Sequence, residues 1–404
     1  MYTIKKYLKK YGEPDAIIDS SNCQSKKYMI WGFDSTCMYL NDSFFIDNIK
    51  VKGNPLEILD SIIDDWSYNS TNPVNIIGYI SYDFKNNLFP HLKLKNPNTN
   101  NVPYVWFAKP RHVIEFDEPN LEQFFNEKFN LDITSDIPNQ KQYVDVISKI
   151  KHHLRKGDVY QINYTNPKQF KITGNPLSIY SRLHSISNPD NGYYINTGFN
   201  HILSLSPESF FTIKDNIIES MPIKGTRNKV ENKQDNKKLI DELKNSKKDK
   251  AEHLMIVDLL RNDIGKICNY GTVNVSDLFN VKTYKNIHHM VSKVYGTLKN
   301  NTKFSDIIYA LFPGGSITGA PKEKAIEIID SLEQYNRNIY TGTIGHMRNR
   351  NEMYFNIAIR TLIISKNIGS YCVGGGIVWD SDAIDEWEEA NIKSNIINKL
   401  INAK

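Results

Sequence analysis

Sulfur is scarce in this 404-residue chain: four cysteines, Cys23, Cys37, Cys268 and Cys372, stand far apart with no CxxC pair and no neighbouring histidine pair. That spacing argues against a disulfide scaffold or a structural zinc site and fits a reducing compartment. No stretch is long and apolar enough to span a bilayer, and Met1 to Tyr7 has no apolar run behind its lysines. The expected location is therefore cytoplasmic, with no membrane partner. Basic residues exceed acidic ones by 50 to 45 and form no stripe interleaved with aromatics, so no nucleic-acid partner is expected. The densest basic cluster, Lys244 to Lys250, alternates with polar residues and reads as a solvated approach to a helix. No internal repeat and no low-complexity linker appears, which excludes a solenoid and leaves no clear place to cut the chain.

What is present suffices for a sizeable core: 40% hydrophobic and 11% aromatic residues. Residues 1–135 read as a β-rich region integral to one fold with residues 136–404. Tyr28–Phe33, Asn75–Tyr82 and His112–Phe116 are short β-branched and aromatic runs bounded by turn residues. The apolar spacing over Pro55–Trp66 predicts a helix, and Lys93–Asn101, with Pro97 inside it, predicts a loop. A helix is predicted over Gln140–Lys156, with Val144, Val146, Ile147, Ile150 and Leu154 inward and Gly157 as its stop. Strands and helices then alternate without a βαβ rhythm, which favours an α+β fold with large antiparallel sheets.

Lys224, between Ile223 and Gly225 and just after Pro222, is poorly placed for a solvated charge. If buried, its amine loses its proton more readily and becomes a nucleophile or base. Glu208, on a strand-like stretch sixteen positions earlier (224 − 208), is a second ionisable group for the same reaction. Glu386, Glu389 and Lys393 fall on one helical face, which suits either a Mg²⁺ site or an ordinary salt-bridged surface helix. Glu252 opens a helix, where the helix dipole alone would favour it. Phe312–Lys322 is a glycine-rich run into a helix, with Pro321 placed for the first helical position. It departs from the Walker A pattern, so it reads as an anion cradle or a tight turn rather than a nucleotide loop. Gly374–Gly376 offers a second glycine nest. Arg360 sits in the strand-like Asn356–Leu362, where a charge needs a partner and a bidentate carboxylate is the natural one.

The motifs, in order, are similar to those of the chorismate-binding enzymes. They are Gly157–Asn163, Ser206–Glu208, Pro222–Thr226, Asp249–Glu252 running to Asp263, His288–Ser292, Pro313–Pro321, Asn356–Thr361 and Gly374–Lys393. The resemblance covers residue 140 to the end and, more weakly, the N-terminal third through Gly78–Asp83. It implies two large antiparallel β-sheets packed face to face with helices outside. It also implies that Glu252 and Glu389 bind Mg²⁺, with Glu386 as an outer contributor, and that the metal grips the ring carboxylate of chorismate. Glu208 matches the acid that protonates the departing C4 hydroxyl. Arg360 and Tyr340 match binders of the enolpyruvyl carboxylate, Gly375 and Gly376 match backbone contacts to substrate, and His289 lies near the leaving group. Gln161, Thr226, Ser316 and Lys393 complete the expected substrate-binding set.

Two positions discriminate among the family's activities. Isochorismate and salicylate synthases carry a lysine that activates water where this chain has Gln161. A neutral amide cannot act as that base, which points to ammonia as the nucleophile. Anthranilate synthases usually have alanine where this chain has Lys224, whereas aminodeoxychorismate synthases have lysine. The expectation is therefore amination at C4 through Lys224, towards p-aminobenzoate and folate, with C2 amination by an anthranilate synthase as the alternative. His253 and Met221 depart mildly from the first pattern, as does Ala390 beside the expected metal site. No Gly-x-Cys-x-Gly glutaminase segment is present, so a separate glutamine amidotransferase subunit is the expected ammonia source. Ile17–Ser21 vaguely resembles the tryptophan-site region of relatives.

Overall fold

The computed structural model describes residues 2–19, 26–95, 102–117, 120–136, 139–187, 189, 191–283 and 287–402. Cys23, Ser20, Ser21 and the Asn96–Asn101 part of the expected loop lie outside the described residues. Helix signals in the sequence translate directly. Asn54 caps the helix Pro55–Ser67 by accepting from the Leu56 and Glu57 amides. Asn139 and Gln142 form a reciprocal capping box that starts the helix Gln140–Lys156, and Gly157 ends it in a left-handed conformation. Tyr143, Ile147 and Ile150 are fully buried, and Val146 and Leu154 of the expected stripe are half-buried against the same cluster, which Trp387 also joins.

The described strands pair antiparallel throughout. One succession begins with Ile287–Thr297, whose one side carries Asn274–Thr283 and whose other side carries Ile217–Ser220 and Ile223–Asn228. It continues through Ser209–Lys214, Glu352–Ile357, Thr343–Asn349 and Ile76–Ile80 to Val105–Phe116. The second succession runs Ala16–Asp19, Asn191–Asn196, His201–Ser206, Thr361–Ser365, Ile368–Ile377, Gln161–Gly174 and Phe129–Asp136. The long strand Lys27–Leu40 belongs to both. It pairs along its length with Val105–Phe116, with a register shift between Phe33 and Ser35, and its start also pairs with Ala16–Asp19.

Alternation of side chains decides how these two sheets pack. Ile76 and Ile80 point to one core, and Ile77 and Tyr79 to another. Ile17 and Leu203 face one way, while Ala16, Ile18 and Ile202 face the other. The shared core combines Ile77, Tyr79, Trp106 and Ile344 of one sheet with Ile18, Tyr193, Ile195 and Ile202 of the other. The outer faces are covered by helices: Pro55–Ser67, Lys247–Ile267 and Phe304–Leu311 on the first sheet, Pro176–Ser187 and Ala383–Asn402 on the second. The fold is thus mixed α+β, two antiparallel sheets face to face with helices outside. Among the described residues no helix is long and apolar enough to cross a membrane, and Cys37, Cys268 and Cys372 are buried free thiols.

Two paired strands turn the corner between the sheets. His201–Ser206 lies in the second sheet and Ser209–Lys214 in the first, joined by Pro207 and Glu208. Beside them Glu352–Ile357 and Thr361–Ser365 do the same, joined by Ala358, Ile359 and Arg360. The corner is stitched by Ile357 N–H to Glu208 O at 3.0 Å and Leu205 N–H to Arg360 O at 3.1 Å. The expected unbroken strand through Arg360 is therefore interrupted, with Arg360 at φ 50°, a left-handed value uncommon outside glycine.

The shared core contributes to the stability of the whole. Ile195→Ala, removing a fully buried side chain there, should lower the unfolding free energy by about 2–5 kcal/mol. Ile49→Ala, at a position 71% exposed, should change it by less than about 0.5 kcal/mol. Parallel denaturant titrations of both variants check this.

Candidate active site

The corner places Glu208 where water is excluded. Its residue is 7% exposed, and burial pushes its carboxyl up to about 7 despite a hydrogen bond from Ser316 and the charge of Lys224. Ser316 belongs to the glycine-rich run, which forms a 3₁₀ turn over Gly315–Ile317, and its Oγ donates to Glu208 Oε1 at 2.9 Å. That run then enters the helix Lys322–Leu332 with Pro321 as its N-cap, one position before the expected placement. Lys322 donates to Asp263 Oδ2 at 2.7 Å and to Leu311 O at 3.0 Å, which ties the run to the helix carrying Glu252.

Lys224 reaches the same space from the strand Ile223–Asn228. A register shift between Lys224 and Thr226 sets Gly225 at φ 65°, a conformation that favours glycine. Lys224 Nζ donates to Gln161 Oε1 at 3.4 Å and lies 4.0 Å from Glu252 Oε2, with its side chain 15% exposed. Burial lowers its proton affinity, and Glu252 and Glu208 oppose that shift. Gln161 is fully buried, and its Nε2 has no hydrogen-bond partner. Gly376 stands against both: a Cβ there would come 3.1 Å from Lys224 Nζ and 3.0 Å from Gln161 Cδ. A side chain there would press on both.

The remaining expected residues divide by location. Arg360 is half-buried at the corner, and among the described residues no carboxylate pairs with its guanidinium. It still lowers the pKa of His289, which burial and Arg360 together bring to about 4, so the imidazole is neutral at neutral pH. Thr226 Oγ1 and His289 Nδ1 lie 2.9 Å apart. Tyr340 is buried, 5% exposed, and follows Arg337 in the loop before Thr343–Asn349. Gly375 faces Glu386 and Lys393: a Cβ there would lie 3.2 Å from Glu386 Oε2 and 3.7 Å from Lys393 Nζ.

The three glutamates come from two helices, Lys247–Ile267 and Ala383–Asn402. Burial raises Glu252, and the nearby Asp249 and Glu389 charges add to that rise. Burial also raises Glu386, which accepts from Ser381 Oγ at 2.7 Å. Burial pushes Glu389 up, but Lys393 at 2.7 Å outweighs it and holds the carboxyl below its usual range. Lys393 also donates to Gly374 O at 2.9 Å. The i,i+4 salt bridge of a surface helix and the carboxylate face thus coexist. Among the described residues no group of three or more His, Cys, Asp or Glu side chains is placed to hold a metal ion. An open set of acidic oxygens suits Mg²⁺, which takes one or two protein carboxylates and keeps other positions for water and substrate. Glu252 and Glu386, raised by burial and by neighbouring acids, are the groups a dication would relieve.

The sequence reading missed what holds this site together. Arg337 and Glu333, both buried, link the glycine-rich run to the strand Gln161–Gly174. Ser381, which donates to Glu386 five residues on, likewise carried no sequence signal, and the tie of Asp263 to Lys322 joins residues far apart in the chain.

A profile described as chorismate binding enzyme matches residues 13–399, and the chain belongs to that family. It is 33% identical over 371 residues to anthranilate synthase component 1 of Saccharolobus solfataricus, covering 88% of each chain. It is 38% identical over 282 residues to aminodeoxychorismate synthase component 1 of Escherichia coli, covering 69% of this chain and 62% of that one. In fold it resembles anthranilate synthase component I from Streptococcus pneumoniae TIGR4, with TM-score 0.81, 23% identity, and 94% and 93% of the two chains covered.

The raised proton affinity of Glu208 has a consequence for stability. Folded Glu208 keeps its proton to about pH 7, whereas the unfolded chain releases it near about 4.3. The folded state therefore binds more protons between these values, and its stability falls as pH rises through that window. Glu208→Gln, which cannot ionise, should flatten the unfolding free energy over that window in denaturant titrations.

Proposed function

We propose that this member of the chorismate-binding family is an aminodeoxychorismate synthase large subunit. It would convert chorismate and ammonia to 4-amino-4-deoxychorismate and water. The carrying observation is Lys224, an amine of lowered proton affinity that shares a desolvated corner with Glu208, whose proton affinity burial raises. In this reading Lys224 Nζ, in its neutral form, bonds to C2 of chorismate, and both conjugated ring double bonds shift one position towards C4. The C4 hydroxyl leaves as water with the Glu208 proton. Ammonia then bonds to C4, both double bonds shift back, and the C2–N bond breaks to release Lys224. The proton lost by ammonia returns to the Glu208 carboxylate, which closes the cycle.

The other residues bind and orient. Arg360, with no carboxylate partner among the described residues, would take the enolpyruvyl carboxylate in a bidentate pair, with Tyr340 beside it. The peptide groups of Gly375 and Gly376, together with Thr226, Ser316 and Lys393, would line the substrate. Neutral His289 stands near the leaving group. Gln161 offers an amide and no base, which favours ammonia over activated water. Glu252 and Glu389, with Glu386 behind them, would hold Mg²⁺, whose charge neutralises the ring carboxylate when bound. Ammonia would come from glutamine through a separate amidotransferase subunit, a reading supported by the component 1 designation of both relatives.

Anthranilate synthase is the second reading. It is favoured by the match along 88% of the S. solfataricus component 1 and by His253, whose Nε2 lies 2.6 Å from Ser292 Oγ. Incubation with chorismate, Mg²⁺ and ammonium decides between them. Aminodeoxychorismate without anthranilate fluorescence is expected, and anthranilate alone would overturn the first reading.

Lys224→Ala should slow aminodeoxychorismate formation by at least about 10²-fold, a scale reached by positioned groups acting in the transition state. It should also divert product towards anthranilate, which fluorescence detects. Glu252→Gln and Glu389→Gln should each lose the Mg²⁺-dependent rise in Tm measured with chorismate present, a readout independent of turnover.

A further inference from the structure

Arg337 is the most enclosed cation of the described chain, 2% exposed, and it lies in the loop between Lys322–Leu332 and Thr343–Asn349. A guanidinium has five N–H donors in a fixed planar fork, and here each is used. Nε and Nη2 donate to the two Glu333 carboxylate oxygens, both at 2.8 Å. Nη1 donates to Ile317 O at 2.9 Å and to Thr341 Oγ1 at 3.2 Å. Nη2 donates again, to Asn163 O at 2.7 Å. The Tyr82 ring covers the guanidinium at 4.5 Å, so one face is closed by the N-terminal third of the chain.

The three targets outside Glu333 belong to three segments of the site. Ile317 follows Ser316, the donor to Glu208. Asn163 is two residues from Gln161, the acceptor from Lys224. Thr341 follows Tyr340. Glu333 adds a fourth tie by accepting from Thr165 N–H at 3.1 Å and Thr165 Oγ1 at 2.8 Å, further along the strand that carries Gln161. We propose that Arg337 is a positioning residue for the amination reaction: it holds the Ser316 turn and the Gln161 strand in register and thereby aims Ser316 at Glu208 and Gln161 at Lys224. It touches neither Glu208 nor Lys224, and acts only through the backbone it grips. A lysine can keep the charge opposite Glu333, but three donors on one tetrahedral nitrogen cannot reach the carbonyls of Ile317 and Asn163 together.

This inference rests on the amination reading, and its test separates the two. Glu208 must carry its proton to act, so activity falls as pH rises through its ionisation. The Ser316 hydrogen bond stabilises the carboxylate, so Ser316→Ala should move the alkaline limb of kcat/KM upward in pH. Arg337→Lys should move that limb the same way and lower kcat by about 10²-fold, the scale of small misplacements. Its KM for chorismate should change much less. The double variant Arg337→Lys/Ser316→Ala should shift the limb no further than Ser316→Ala alone, because both act on one hydrogen bond. If Arg337→Lys cannot be obtained folded, Glu333→Gln, which loosens the fork, is measured in its place with the same expected limb. An unmoved limb in the Arg337→Lys or Glu333→Gln enzyme, an unmoved limb in Ser316→Ala, or additive shifts in the double variant would overturn the positioning role. Wild-type enzyme that does not aminate chorismate would instead overturn the reading of function.

Discussion

Exclusion of water at the corner between the two sheets is the constraint on which the site depends. In water an amine holds its proton and a carboxyl gives its proton up. At this corner desolvation works against both charges, lowering the proton affinity of Lys224 and raising that of Glu208. Both shifts run in the direction the proposed chemistry needs, towards a nucleophilic amine and an acid with a proton to give. Neither shift would arise on an exposed strand. The neighbouring charges oppose the shifts and limit them: Glu252 holds Lys224 up, while Ser316 and Lys224 hold Glu208 down.

Such a corner follows from the architecture. A sandwich of two antiparallel sheets must bend or break its strands where they pass from one sheet to the other. The breaks fall at Pro207–Glu208 and at Ala358–Arg360, side by side and stitched by backbone hydrogen bonds. Residues at a break have side chains free of the strict alternation that commits strand residues to one core or another. Glu208 and Arg360 use that freedom to face the site from the same seam. Lys224 arrives from the first sheet, Gln161 and Gly376 from the second, and the glutamates from helices on opposite outer faces. The site is therefore a product of the packing of both sheets, and the buried fork of Arg337 is one of the few side chains that touches several of its walls at once.

Much of this was legible in the sequence. Apolar spacing located the helices, expected over Pro55–Trp66 and over Gln140–Lys156 with Gly157 as the stop, and the order of motifs identified the family and its antiparallel sandwich. Lys224 could be suspected from its neighbours alone, because proline, isoleucine and glycine leave little room for a solvated amine. The break at Arg360 was not legible, since Asn356–Leu362 has the composition of one continuous strand and the interruption comes from tertiary bending. Arg337 was invisible for a different reason. Between Asn336 and Asn338 it reads as a loop charge, and its partners at Asn163 and Ile317 come near only in the folded chain. A glutamate four residues before it, at the end of an apolar helix, was the one local sign. Local rules report on elements; hydrogen-bond satisfaction over long separations has to be read from the structure.

The central claim is that Lys224 is a nucleophile of the reaction and not only a buried cation. Intact-protein mass spectrometry of the enzyme with chorismate and Mg²⁺, in the absence of ammonia, tests it most directly. The account predicts a mass increase equal to chorismate less one water, located on the peptide containing Lys224 and absent from Lys224→Ala. It also predicts that the adduct disappears when ammonium is added, as aminodeoxychorismate forms. A wild-type enzyme that forms aminodeoxychorismate at full rate yet never accumulates such an adduct, with Lys224→Ala equally active, would contradict it.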